Sequence, residues 1–180
     1  GRLKAHMLGN LSQETQYFRF FEYIPQVTQA MLRRFTQIDY DREIAIIAEL
    51  DGPEGRIMAG EGRLMIDVLD DTGEFAILIA DPWQGLGLGN ILTDYILEIA
   101  RERGLSLVHA HVLKINTRMI QVLKKRGFQI RTEDFITLYA ELPLGAADAS
   151  DPASGKTEKA ESEDLPTASR VSVRVSRPEE

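Results

Sequence analysis

The chain has no cysteine. That absence excludes disulfide frameworks, thiolate nucleophiles and cysteine-ligated zinc, and it fits a reducing, cytoplasmic setting. Basic residues are in deficit: 21 Lys and Arg stand against 28 Asp and Glu, a formal charge of −7, which argues against a nucleic-acid surface. No apolar run reaches membrane-spanning length and no signal-peptide pattern is visible, so the expectation is a soluble protein with no membrane contact. With 180 residues, 43% of them hydrophobic, the chain can bury one substantial core, and it reads as one domain with an irregular remainder.

What the chain does have is a dense local signal from Glu74 to Asn90. An apolar strand, Glu74-Phe75-Ala76-Ile77-Leu78-Ile79-Ala80, runs through Asp81-Pro82-Trp83 into Gln84-Gly85-Leu86-Gly87-Leu88-Gly89-Asn90 and then an amphipathic helix. Three glycines on alternate positions let successive backbone N–H groups converge without Cβ obstruction, and the helix adds the positive end of its dipole. Such a cradle suits a pyrophosphate. It is not a dinucleotide fingerprint, because Asn90 stands where the third glycine would fall, nor a nucleotide P-loop, because no Gly-Lys-Ser/Thr ending follows. The bland alternative is a glycine-rich strand-to-helix corner without a ligand.

Gln84-Gly85-Leu86-Gly87-Leu88-Gly89 resembles the Gln/Arg-x-x-Gly-x-Gly/Ala motif of the GNAT acetyltransferases, which bind the pyrophosphate of acetyl-CoA. Glu74-Phe75-Ala76, Asn116 with Met119, and Lys125-Arg126-Gly127-Phe128 follow the order of the same family's core, and Leu11-Ser12 with Tyr17-x-Arg19-Phe20-Phe21 resemble bacterial protein lysine acetyltransferases of the Pat type. The resemblance covers Leu3 to Leu142. It implies an α/β fold with a mixed, mostly antiparallel sheet flanked by helices. It also implies acetyl-CoA as cosubstrate, held by Gln84, Gly85, Leu86, Gly87, Leu88, Gly89, Asn90 and Asn116, with the backbone amides of Ile77 and Ile79 on the pantetheine or the thioester carbonyl.

Along the chain, Leu3 to Phe21 has helical spacing and Pro25 opens a second helical segment through Phe35; these should flank an acceptor site, with Asp39-Tyr40-Asp41-Arg42 at its border. Glu43 to Leu50 and Ile57 to Leu69 read as strands, with Asp70-Asp71-Thr72-Gly73 as the turn before the motif strand. Leu88 to Arg103 is a one-faced helix stopped at Gly104. Leu105 to Leu113 follows as a strand, Asn116 caps the next helix, and Phe135 to Leu142 is the last strand of this region.

Residues 1–144 form the expected catalytic core. Gly145 to Ser169 has no aromatic residue and only Leu165 as a large aliphatic one, so it reads as a flexible linker, and it carries −4 of the total charge. Beyond it, residues 170–180 alternate valine with polar residues, Arg170-Val171-Ser172-Val173-Arg174-Val175, as a half-buried strand does. By the resemblance this segment supplies the family's first strand, absent before Gly1, so that the chain reads as circularly permuted. Two other readings stand beside it: a truncated second repeat, or a Gly1–Met7 stretch left from cloning.

In this family an amine attacks the acetyl thioester directly, which requires the amine in its neutral form; a lysine amine has a pKa of about 10.4. Glu74 matches the catalytic glutamate that takes this proton, though a Glu after a tight turn can also be only a solvated hairpin residue. The resemblance also implies a bulge near the end of the motif strand that frees backbone groups for the pantetheine arm. Asn116 to Gly127 contains no tyrosine, so the sequence assigns no general acid. His109-x-His111 shares one strand face, but with no acidic ligand pattern nearby no metal is assigned. Lys124-Lys125-Arg126 complements a helix C-terminus. The expected activity is acetyl transfer from acetyl-CoA to an amine, a protein lysine first and an acyl-CoA synthetase among candidate partners. A small-molecule amine N-acetyltransferase and a non-catalytic acyl-CoA sensor are the alternatives.

Overall fold

The computed structural model describes residues 2–21, 42–52, 55–145 and 171–176. The helical segment expected from Pro25 to Phe35, residues 39–41, and nearly all of the expected linker lie outside the described residues.

The N-terminal helical region divides into α1 (Arg2–Gly9) and α2 (Gln13–Phe20) because Ser12 caps the second helix, its hydroxyl accepting from the Thr15 N–H at 3.2 Å. Three antiparallel strands follow as a meander: β1 (Glu43–Gly52), β2 (Gly55–Asp67) and β3 (Thr72–Ile79). β2 stops two residues earlier than hydropathy suggests. The Asp67 carboxylate accepts from the Leu69 N–H at 2.9 Å and bends the chain there, leaving Leu69 89% exposed.

Beyond the glycine turn lie α3 (Leu88–Glu102), β4 (Leu107–Leu113), α4 (Thr117–Lys125), β5 (Gln129–Thr132) and β6 (Thr137–Pro143). The last of these strands begins at Thr137 and not at Phe135. Asp134 accepts from the N–H groups of Ile136 and Thr137 at 2.8 and 2.7 Å, which folds Phe135 out to 99% exposure. Val171–Ser176 forms β7 and pairs antiparallel with β1 from Leu50 to Ala45.

All seven strands join one sheet in the order β5-β6-β4-β3-β2-β1-β7, antiparallel throughout except for β3 beside β4. On one face the apolar stripe of α3, with Leu88, Leu92 and Ile96 at most 1% exposed, packs over Ile46, Leu64 and Phe75 to make the main core. On the other, Met7, Leu8 and Leu11 pack on Met58 and Leu78. Phe75, Ile77 and Ile79 therefore face α3, while Leu78 and Ala80 face α1. α3 lies so close to β2 that a Cβ on Gly62 would stand 2.9 Å from Ile96 Cδ1.

Candidate functional site

The site arises where β3 and β4 part. β3 follows β2 in unbroken register from Thr72 to Ile79, but it pairs with β4 at Thr72, Gly73 and Glu74 alone, opposite Leu107, Val108 and His109. Past Glu74 the two strands diverge. The edge of β3 from Phe75 to Ile79 that faces β4 is thus left without a strand partner. The sequence expectation of a bulge at the end of β3 is corrected on this point: β3 is regular, and the irregularity lies where Ala59 of β2 falls unpaired opposite Ala48 and Glu49. The divergence of two strands, and not a bulge, frees the backbone groups.

The wedge opens into a cleft of about 550 Å³. At the join stands Glu74, half-buried on the wall. Ile77 and Ile79 line one flank, and Gln84, Gly85, Gly87, Gly89 and Asn90 form the far end, with Asn116 opposite. Leu86 lies off the lining, and Leu88 turns its side chain into the core at 1% exposure, so it can offer only its backbone to the cleft.

The glycine turn has the form its sequence requires. Asp81–Trp83 makes one tight turn led by Pro82; Gly85 and Gly87 take the left-handed conformation at φ 78 and 87, and α3 starts at Leu88. Asn90 and Ile91 are the first residues to donate back into the helix, both to the Gly87 carbonyl. The N–H groups of Leu88 and Gly89 precede that first bond and have no intrahelical acceptor. A Cβ on Gly85 or Gly89 would meet nothing within 4 Å, so neither glycine is packed against another element on that side. Helix-end donors without an intrahelical acceptor fit a pyrophosphate.

Three side chains in this region hold structure. The Gln84 amide nitrogen donates to Thr15 Oγ1 at 2.9 Å and to the Ile79 carbonyl at 3.1 Å, and its oxygen accepts from Arg118 at 3.1 Å. Asn116 caps α4, accepting from the Met119 N–H at 3.2 Å. The Asn90 side-chain oxygen accepts from Arg126 at 3.0 Å, and Arg126 also binds both oxygens of Asp94 at 2.6 and 2.8 Å. Arg126 is thus a clamp between α4 and the first turn of α3 as well as a favourable charge at its own helix end.

Asp81 anchors α2 to the turn. It accepts from the Ser12 N–H at 2.9 Å, the Ser12 hydroxyl at 2.5 Å and the Thr15 hydroxyl at 2.8 Å. Burial disfavours its charge, but these donors outweigh that effect and hold the carboxyl below the usual carboxylate range. Composition gave no warning of this anchor. The Asp81-to-Ser12 contact joins residues 69 apart in the sequence.

Arg19 of α2 shares the cleft wall with Glu74. Burial lowers the Arg19 pKa, against the opposing pull of Glu61, Glu74 and Glu43. Behind it, Lys4 of α1 reaches Glu61 at 2.6 Å, and Arg63 bridges Glu61 and Glu43. On β4, burial likewise lowers the His109 pKa, and Glu74 opposes it. The His109 ring stacks on Tyr139 at 5.4 Å between centroids.

A mixed sheet split beside a glycine turn that opens a helix, with a carboxylate at the split, defines an acyl-CoA N-acyltransferase fold. The sequence profile of the acetyltransferase (GNAT) family matches residues 11–128, and the chain belongs to that family. It is an acetyl-CoA-dependent N-acetyltransferase by that membership. It is 30% identical over 126 residues to the acetyltransferase PA5475 of Pseudomonas aeruginosa, covering 69% of this chain and 67% of that protein. To the acetyltransferase Pat of Mycolicibacterium smegmatis it is 27% identical over 139 residues, 76% of this chain but only 40% of that protein's length. Among solved structures, the GNAT domain of S. lividans PAT superposes with a TM-score of 0.69 at 27% identity, covering 79% of this chain and 84% of that one.

Proposed function

We propose that the chain acetylates the ε-amine of protein lysines, with acetyl-CoA as donor and Glu74 as the general base. The observation that carries this reading is the position of Glu74, the last residue of β3 paired to β4, on the wall of a cleft whose far end is the glycine turn. The likeness to Pat and to the S. lividans PAT domain supports a protein acceptor.

In this reading acetyl-CoA supplies an acetyl thioester. The N–H groups of Leu88 and Gly89 bind its pyrophosphate, and Gly85 and Gly87 keep the approach clear. The unpaired edge of β3 at Ile77 and Ile79 orients the pantetheine arm and polarises the thioester carbonyl, an electrostatic contribution. Glu74 takes the proton of the incoming ammonium, directly or through a water. The neutral amine nitrogen bonds to the carbonyl carbon, and the tetrahedral adduct gives its second nitrogen proton to solvent. The carbon–sulfur bond breaks, the sulfur leaves as thiolate and is protonated from solvent, and Glu74 returns its proton to solvent. We further propose that the 170–180 segment supplies the domain's own edge strand, which the pairing of Val171–Ser176 with β1 supports.

The test is turnover with acetyl-CoA against two acceptor sets, folded proteins including an AMP-forming acyl-CoA synthetase, and small amines, reading released CoA and acetyl-lysine by mass spectrometry. Acetylation of protein lysines is expected. Turnover confined to small amines would favour the small-molecule reading, and CoA binding without any turnover would favour a sensor.

A further inference from the structure

The divergence that opens the cleft brings a second chemistry to its apex. The parallel pairing of β3 with β4 sets Glu74 directly opposite His109, and the two-residue repeat of a strand puts His111 on the same face. One ligand atom from each of Glu74, His109 and His111 lies within 4.8 Å of the other two. We infer that these three residues form a binding site for a divalent transition-metal ion, zinc above all, and that the ion inhibits the enzyme by occupying Glu74.

The donor set suits the ion. Two imidazoles and one carboxylate are a zinc ligand set that leaves a fourth position for water. In a tetrahedral site such donors stand roughly 3.3–3.6 Å apart, given bonds of about 2.0–2.2 Å. Side-chain rotations of about an ångström close the cluster from its present spacing.

The rings are already held. His111 Nδ1 stands 2.7 Å from Glu133 Oε2, so its N–H donates to that carboxylate and the lone pair falls on Nε2. A carboxylate behind a histidine is the arrangement that orients imidazole ligands on metals and raises their basicity. His109 is fixed differently, stacked on Tyr139 with an interplanar angle of 26°, and its Nδ1 is buried with no hydrogen-bond partner among the described residues. Ala110, between the two histidines, is 4% exposed and packs in the core, so the strand cannot rotate them apart cheaply. Arg19 shares the field of Glu74, and its positive charge subtracts from cation affinity there.

The binding half of this inference stands without the general-base reading, whereas the inhibitory half rests on it. The experiment separates them. The tag-free, chelator-stripped 180-residue chain is titrated with zinc chloride against a chromophoric chelator, and acetyl transfer is measured with zinc in excess over the CoA thiol released.

One zinc per chain is expected, with affinity reduced at least tenfold in the doubly substituted His109→Gln, His111→Gln chain. Glu133→Gln, which leaves all three ligands in place, should weaken binding about tenfold, and it keeps the test valid if the double variant fails to fold. Inhibition of the parent should reverse with EDTA. Failure of the parent to bind stoichiometric zinc, or binding that survives in both variants, for example through His6, overturns the site. If zinc binds as expected while Glu74→Gln retains full turnover, the site stands and the general-base reading is the one that fails. If zinc binds without inhibiting a parent whose Glu74→Gln variant is inactive, the inhibitory half is overturned.

Discussion

Gln84 and Thr15 are 2.9 Å apart, joined by the Gln84 amide and the Thr15 hydroxyl. This bond ties the glycine turn to α2, the helix that carries Arg19 on the cleft wall. Asp81 reinforces the tie through Ser12 and the same Thr15 hydroxyl. The glycine turn and the helix that carries Arg19 are therefore one hydrogen-bonded unit. A substitution at either end is felt at the other.

For Asp81→Asn the expectation is lower stability at neutral pH, by about 1 kcal/mol, since a charge-assisted acceptor in a partly solvated place is replaced by a neutral one. The folded-state pKa of Asp81 is depressed, so its contribution is fully present above the ordinary value of 3.8 and is lost as pH falls through the lower folded value. Denaturant melts of parent and variant should differ by a constant amount from pH 7 down to about 5 and converge below it. A gap that persists unchanged in strong acid would show that the loss is steric.

Replacing Gly87 with valine places a β-branched residue at φ 87, where the turn needs a left-handed conformation. Affinity for CoA should fall by about tenfold or more, read by quenching of Trp83, the sole tryptophan, which packs beside the turn. Parental affinity in a folded Gly87→Val chain would remove the turn from the cofactor site.

Glu74→Gln keeps shape and hydrogen bonding but accepts no proton. Turnover at pH 7 should drop on the order of a hundredfold while CoA affinity holds. The deficit should narrow as pH rises toward the lysine pKa of about 10.4, where more acceptor is already neutral. Near-parental turnover at pH 7 assigns the proton to solvent or another group.

Removing residues 170–180 strips β7 from β1 and leaves a bare sheet edge from Ala45 to Leu50. The melting temperature should fall by about 5 °C or more, at roughly 3 °C per kcal/mol for a domain of this size, with increased aggregation. An unchanged melting temperature would mean that the segment is a dispensable tail.

The sequence is most informative where the signal is local. The motif strand, the left-handed glycines and the apolar stripe of α3 are each set by residues a few positions apart, and all lie where periodicity puts them. β5 is invisible by the same method, because in Gln129–Thr132 only Ile130 is apolar and the strand exists by pairing with β6. Phe135 and Ile136 misled for the opposite reason: both are apolar, but Asp134 draws the backbone into a turn. The largest omissions are tertiary. Asp81 with Ser12, Arg126 with Asp94, and Glu74 with the two histidines are partners from distant segments, and no periodicity within either segment encodes the other.

The join between β3 and β4 covers three residues on each strand, and Glu74 is at its open end. Geometrically this is the apex of a wedge: the two strands are in register at Glu74 and part toward the mouth, near Ile79 and Leu113. Width and anchorage are thereby set at different places on one strand pair: the residues near Ile79 and Leu113 bound the gap, while the position of Glu74 is fixed by the three-residue join.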